Sequence, residues 1–148
     1  MNTSKSDLPS YNQWRSSNGE GFSLFDFLRG VIVTGAIEPD PLIAFWKLLL
    51  PDLVEHEGMV FLQENFRWER YRTLRDEGRS PHQIEYWMNL LGISTLLEGL
   101  PIDRVEELSR DIVFCWRARL AEKFPDRCFQ VEICEDDGDT FVVFYQVS

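Results

Sequence analysis

The sequence predicts an α+β fold in which four to five helices pack on a small antiparallel sheet built from a C-terminal β-hairpin. Three observations predict it: an amphipathic helical pattern over residues 103–124, two strand patterns directly after it, and an Asp-Gly pair between those strands. Helical patterns dominate the chain before this segment, without regular alternation of strand and helix. Helices segregated from antiparallel strands in this way are typical of α+β domains.

Residues 1–21 are predicted to form a mobile N-terminal arm, and residues 22–148 a single globular domain. The arm is polar and rich in Ser, Asn and Gly. Such a terminal segment is ordered only if it docks, here through Tyr11 and Trp14. A hydrophobic content of 44% and an aromatic content of 14% argue against disorder in the rest of the chain.

Two apolar helices are predicted after the arm. The first begins at Ser23 as N-cap, and Asp26 completes a variant of the capping box. The second starts at Asp40, because Pro41 suits the first helical position, and it closes before Pro51. Apolar residues nearly surround this second helix. We therefore expect it to be buried or covered by a partner.

A short apolar run, Met59–Leu62, is bounded by polar residues and suits a buried strand better than a helix. Residues 55–58 before it have the composition of a turn. A lone β-hairpin is only marginally stable in water. We therefore predict this run as the third strand beside the C-terminal hairpin.

Two further helices are predicted before the C-terminal third of the chain. A charged helix covers about residues 66–77 and ends at Gly78. The next helix has the clearest start in the chain, with its N-cap, first-position proline and capping-box residue at Ser80, Pro81 and Gln83. It is predicted to run to about residue 97, followed by Gly99. Apolar residues, Trp87 among them, cover most of its circumference, so we expect it to be the central core helix.

The long helix over residues 103–124 is predicted from apolar spacing. Its apolar residues recur at intervals of three or four, which places them in one stripe. The stripe consists of Val105, Leu108, Ile112, Cys115 or Trp116, and Leu120. Asp103 is the predicted N-cap, and Pro125 ends the helix because a proline disfavours helical geometry in the preceding residue.

The C-terminal hairpin is predicted from alternation and turn chemistry. Apolar and polar residues alternate over residues 129–133, and residues 140–147 are rich in Val, Phe and Tyr. The pair Asp137-Gly138 favours a two-residue turn in which both central residues have positive φ. Centring the turn there pairs Ile133 with Val142, and Val131 with Phe144.

Charge and cysteine content restrict the classes of function. Fifteen basic and 25 acidic residues give a formal net charge of -10, which repels phosphate backbones and anionic lipids. We therefore predict no membrane partner. No signal-peptide pattern occurs, and no apolar run is long enough to span a bilayer. The three cysteines form no Cys-x-x-Cys pair. These features favour a cytoplasmic location.

One basic segment, residues 67–79, interrupts this acidic chain. Its five arginines are interleaved with aromatic residues, a pattern that can contact phosphates and stack bases. Acidic residues within the segment dilute it, and arginines at helical spacing commonly pair with acids or lie over aromatic rings. Nucleic-acid binding is therefore the less favoured interpretation.

One helix face groups His82, Glu85 and Asn89 at spacings of three and four. A histidine and a carboxylate one turn apart could bind a metal or transfer a proton. The alternative interpretation is the narrow solvent-facing strip of a core helix. A metal site needs three or four ligands, and no nucleophile with a partner base and no phosphate-binding loop accompanies this face. We predict no metal and no cofactor.

The hairpin concentrates acidic residues, and Tyr145 accompanies them. The predicted partner-binding residues are Glu132, Glu135, Asp136, Asp137, Asp139 and Tyr145. Turn chemistry explains two of the aspartates, and the remaining carboxylates could complement a basic protein. The sequence therefore favours a non-catalytic protein-interaction domain, such as an inhibitor or immunity-type protein. The alternative is a small-molecule-binding domain or enzyme that uses the face formed by His82, Glu85 and Asn89.

Overall fold

The computed structural model describes residues 8–147 of the chain. Among these residues it contains seven α-helices and five strands, and the strands form two antiparallel sheets. The predicted α+β fold class is confirmed. The chain divides into two compact units, Met1–Phe45 and Trp46–Ser148. None of the helices in the described range is both long enough and apolar enough to cross a membrane.

The first unit contains α1 (Pro9–Asn18), α2 (Leu24–Val33) and the start of α3 (Pro39–Leu49). Helix α2 begins as predicted. The Asp26 N–H donates to Ser23 Oγ at 3.1 Å, and the Ser23 N–H donates to the Asp26 carboxylate at 2.8 Å. These bonds complete the capping box, and they hold the pKa of Asp26 below its usual value.

Helix α1 lies within the predicted arm, whose residues 1–7 are outside the described range. Tyr11 and Trp14 are the residues through which the sequence predicts docking. Tyr11 is buried, and its ring lies 6.0 Å from that of Phe27 in α2; the Trp14 ring lies 5.5 Å from Phe27. Gly30 makes room for Trp14, because a Cβ there would overlap the indole ring.

Helix α3 begins at Pro39, one residue before the predicted start at Asp40. None of its residues is buried, and Ile43 and Trp46 are 53% and 62% exposed. Burial within the described chain, the first of the two predicted arrangements, is therefore wrong. Coverage by a partner stays a prediction.

The second unit contains the remaining elements. In chain order they are β1 (Leu53–His56), β2 (Met59–Leu62), a 3₁₀ turn (Gln63–Asn65), α4 (Trp68–Asp76), α5 (Pro81–Asn89), β3 (Leu91–Gly92), α6 (Ile93–Leu96), α7 (Ile102–Lys123), β4 (Phe129–Asp136) and β5 (Asp139–Gln146). Strands β1 and β2 form a two-stranded sheet, and the second sheet has the order β3-β5-β4.

The prediction that Met59–Leu62 would be the third strand of the C-terminal sheet is wrong. It is a strand, but it pairs with β1 through a two-residue turn at Glu57 and Gly58, both of which have positive φ. Residues 55 and 56 belong to β1 and not to a turn. The third strand is β3, which pairs Leu91 with Val142. Such a two-residue bridge carries no recognisable strand pattern.

Helix α5 starts as predicted, with the Ser80 and Gln83 capping box complete and Pro81 in its first turn. The prediction that it extends to about residue 97 is wrong. It ends at Asn89, and Leu90 has extended geometry. Gly92 lowers helix propensity at this point, and β5 offers backbone bonds that replace those of the helix.

Helix α7 begins at Ile102, so Asp103 lies in its first turn and is not the predicted N-cap. The predicted stripe is largely correct, because Val105, Ile112, Trp116 and Leu120 are buried. Trp116, rather than Cys115, fills the alternative position in the core. Its ring meets Phe144 edge-on at 5.8 Å, and its indole N–H donates to the Leu48 carbonyl at 2.8 Å.

The predicted hairpin register is confirmed. Ile133 pairs with Val142 and Val131 with Phe144, and the turn residues Asp137 and Gly138 have φ of 49° and 83°. Helices cover both faces of this hairpin. The face with Phe144 packs on α7, and the face with Tyr145 packs on α5. Strand β5 is therefore apolar and buried on both sides at its centre.

Replacing Trp116 with alanine is expected to lower the free energy of unfolding by about 3–5 kcal/mol, because it leaves a cavity between α7 and the sheet. Trp87→Ala is the matched control. Trp87 is 41% exposed, which corrects its predicted place in the core, and its loss is expected to cost about 1 kcal/mol or less. Urea unfolding followed by circular dichroism measures both values. Equal losses would contradict this assignment of the core.

Candidate functional site

The turn of the C-terminal hairpin carries four exposed carboxylates, which we call the acidic tip: Glu135, Asp136, Asp137 and Asp139. Strands β4 and β5 pair along their whole length, so the backbone hydrogen bonds of the hairpin hold the acidic tip in place. Asp139 accepts a hydrogen bond from Ser94 Oγ at 3.1 Å. No ion pair within residues 8–147 neutralises any of the four carboxylates.

The other two residues of the predicted partner site, Glu132 and Tyr145, lie on the sheet face that packs on α5. The Tyr145 hydroxyl donates to the Glu132 carboxylate at 3.1 Å, and the Tyr145 ring lies 4.4 Å from the His82 ring. Burial, followed by the bond to Glu132, raises the pKa of Tyr145. Both side chains are half-buried. The structure thus separates these two residues from the acidic tip.

Glu85 of the alternative site is buried, so the solvent-strip interpretation of this helix face is wrong for it. One carboxylate oxygen accepts from the Val60 N–H and from the Gln146 side-chain amide, each at 2.7 Å. The other oxygen accepts from the Gln146 backbone N–H at 2.7 Å. Three N–H donors therefore satisfy both oxygens of this buried carboxyl group.

Asn89 is equally buried, and the solvent-strip interpretation is wrong for it as well. Its side-chain oxygen accepts from the Leu62 N–H at 2.9 Å. Its side-chain nitrogen donates to the carbonyls of Val60 and Phe144, at 2.9 and 3.2 Å. Glu85 and Asn89 together bridge the edge of β2 that faces away from β1 to the edge of β5 that faces away from β4. Their polar groups have a structural role.

An open cleft of about 550 Å³ lies beside the start of α5. It is lined by His82, Glu85, Gln146 and residues of the β1–β2 turn, whereas Asn89 is absent from its lining. His82 is exposed, with Nδ1 at 3.4 Å from the Gln146 carbonyl. Within residues 8–147, no three His, Cys, Asp or Glu side chains are grouped to hold a metal ion. The three predicted residues therefore do not converge on one accessible point.

The arginines of residues 67–79 are largely engaged. Arg75 pairs with Glu57, and Arg79 pairs with Glu77 at 3.2 Å. Arg67 donates to the backbone carbonyls of residues 64 and 66, at 3.0 and 2.8 Å. The interleaved rings pack on one another, with Phe66 and Trp68 centred 4.9 Å apart. This segment offers fewer unpaired cations and free aromatic faces than its sequence indicates.

Comparisons of the chain with protein-family models, curated proteins and solved structures found no match.

Sequence reasoning missed the structural role of Glu85 and Asn89. The available signal was a pair of polar residues one turn apart on an otherwise apolar helix, which is the arrangement needed to reach buried backbone groups. The unpaired edge of β4 was also missed. Its signal would have been the strand order, which a sequence with a two-residue third strand does not reveal.

Replacing Asn89 with leucine is expected to lower the free energy of unfolding by at least about 3 kcal/mol. The two side chains have similar size, but leucine leaves three buried backbone groups without partners, each at a cost of about 1–3 kcal/mol. His82→Leu on the same helix face is the control and is expected to be nearly neutral. Thermal and urea unfolding would measure both. A neutral Asn89→Leu would show that water or other groups satisfy these positions.

Cysteine alkylation at pH 8 is expected to modify the exposed Cys128 first. Burial raises the pKa of both Cys115 and Cys134, which lowers their reactive thiolate fraction at a given pH. Their labelling should therefore accelerate further as the pH rises above 8. Mass spectrometry after timed iodoacetamide treatment measures the order in which the cysteines are labelled. The protein unfolded in urea is the control, in which the three labelling rates should become similar. Equal rates in the folded protein would contradict the burial of Cys115 and Cys134.

Proposed function

We propose that this protein is a non-catalytic protein-interaction domain, and that a basic partner docks on the acidic tip. The observation that carries the proposal is the set of four exposed carboxylates without an ion pair among residues 8–147. Turn geometry accounts for Asp137, whose φ is positive. Turn chemistry explains one further aspartate and leaves two of the four carboxylates unexplained.

Long-range electrostatics supports this assignment. The formal net charge of -10 gives the whole molecule an attractive field for cations, and the tip concentrates that field at one end of the sheet. Complementary charge raises the association rate and orients a partner before contact. An inhibitor or immunity-type protein, which must capture its target quickly, is one form of such a domain.

The hydrogen bonds that the alternative site already makes also support a non-catalytic role. The oxygens of Glu85 already accept three N–H bonds, so a proton transfer or a ligand bond there would break bonds that connect α5 to both sheets. The Asn89 side chain is committed in the same way.

A small-molecule-binding function remains the second candidate because the cleft beside His82 has a suitable size. Its volume of about 550 Å³ lies within the range of ligand pockets, about 300–1,000 Å³. The variant His82→Trp would fill this cleft. Metabolites that raise the melting temperature of the wild type, but not that of the variant, would favour this second candidate.

Reversing Glu135, Asp136 and Asp139 to lysine is expected to slow association with the partner far more than it alters dissociation, because steering acts on the encounter. Raising the ionic strength from 0.15 to 1 M, which shortens the Debye length from about 8 to about 3 Å, should have the same effect. Partners captured by wild-type and variant baits are compared by quantitative mass spectrometry. Association rates of the captured partner are then measured by surface plasmon resonance.

The control reverses Glu64, Glu69 and Asp76, which are exposed and change the net charge equally. They lie in or near α4. This helix bonds to the β1–β2 turn through Tyr71 and Glu57, and the turn meets Gln146 at the sheet end opposite the tip. Partner capture that both variants lose equally would indicate a general charge effect. An association rate that is indifferent to salt and to tip reversal would refute the acidic tip as the docking site.

A further inference from the structure

Strand β4 is one of the two outer strands of its sheet, and half of its backbone groups face away from β5. Asp136 and Asp139 are the closing pair of a two-residue turn, so they exchange hydrogen bonds with each other. Alternation along the ladder then directs the N–H and C=O groups of four residues outward: Phe129, Val131, Ile133 and Glu135.

Only part of this outward edge is occupied. Arg117 donates to the Val131 carbonyl at 2.8 Å. Among residues 8–147, no hydrogen bond reaches the outward backbone groups of Ile133 or Glu135. The edge beside the acidic tip therefore presents free donors and acceptors in strand geometry.

The edge of β5 that faces away from β4 is engaged along its length. Ser94 Oγ accepts from the Thr140 N–H at 3.0 Å, and β3 pairs with Val142. Asn89 and Glu85 bond the Phe144 carbonyl and the Gln146 N–H. Open strand edges invite pairing with other chains, and most proteins cover them. The contrast between the two edges singles out β4.

Side chains on the two sides of the β4 edge differ in character. On the α7 side, Ile133 is 38% exposed, and Phe114, one helical turn before the Arg117 that reaches β4, is 74% exposed. On the α5 side, Glu132 and Asp136 alternate with Cys134. A strand lying beside β4 would therefore meet apolar groups on the α7 side, ending at Glu135 near the acidic tip, and two carboxylates on the α5 side.

We propose that an extended partner segment, alternating basic with apolar residues, adds to this sheet as a strand beside β4. This inference rests on the proposed function and specifies how the partner is held. Backbone pairing supplies affinity, and alternate side chains supply selectivity. A second copy of this chain fits poorly, because pairing β4 with itself would bring Glu132, Glu135 and Asp136 of two chains together.

The probe is an acetylated and amidated ten-residue peptide in which lysine and valine alternate. Two control peptides have the same net charge: one groups all five lysines before the valines, and the other carries N-methyl groups on alternate amides, which blocks one edge of the added strand. Binding to the full chain is measured by calorimetry. Amide hydrogen exchange of Ile133 and Glu135 is measured by NMR, with and without peptide.

The matched variants are Ile133→Pro and Ile133→Ala. The Ile133 N–H faces outward, so proline removes a free donor without breaking a bond to β5, whereas alanine keeps the donor. The alternating peptide is expected to bind Ile133→Pro about tenfold more weakly than Ile133→Ala. In the wild type it should slow exchange at Ile133 and Glu135 by about tenfold or more. If Ile133→Pro fails to fold, the N-methylated peptide tests the same bond from the other side.

The outcomes separate this inference from the proposed function. Slowed exchange together with selective loss in Ile133→Pro supports strand addition. A different result is that salt and tip reversal abolish binding, hydrogen exchange is unchanged, and the alternating peptide and both control peptides bind with equal affinity. This result refutes strand addition but supports the acidic tip. Exchange that slows with protein concentration in the absence of peptide identifies a second copy as the occupant and refutes the proposal. Absence of binding by the alternating peptide refutes strand addition by a basic segment.

Discussion

The second unit depends on one constraint: the facing edges of two sheets present backbone groups that do not bond to each other. Glu85 and Asn89 of α5 meet this constraint from a single helix face, bonding Val60 and Leu62 in β2 and the end of β5. A buried backbone group without a partner costs free energy comparable to a lost hydrogen bond. These two side chains tie α5 to both sheets, and α7 packs on the opposite face of β5.

This constraint explains why Glu85 and Asn89, whose residue types and spacing suit catalysis, have a structural role instead. A carboxylate and an amide one turn apart can serve chemistry only if their polar atoms have unused capacity. Here burial without partners would be prohibitive, and the backbone supplies those partners. His82, at the exposed start of the same face, is the member that keeps an accessible side chain. Residue type and spacing are thus compatible with both roles, and only the contacts distinguish them.

What the sequence predicts well is local. The capping boxes at Ser23 and Ser80, the turn at Asp137-Gly138 and the stripe through Trp116 each depend on residues a few positions apart. The partner of Met59–Leu62 and the early end of α5 depend on segments distant in the chain, and periodicity carries no such information. The same holds for the candidate site: exposed carboxylates at the tip follow from a turn, whereas the burial of Glu85 and the open edge of β4 follow from strand order.

Chain order gives the bridge by Glu85 and Asn89 a further consequence. Gln146, which supplies two of the three donors to Glu85, lies 61 positions later in the sequence. During translation, α5 leaves the ribosome long before the strand that satisfies its carboxylate. The hydrogen bonds that satisfy Glu85, and with them the connection between the two sheets, therefore cannot be completed until β5 has been made.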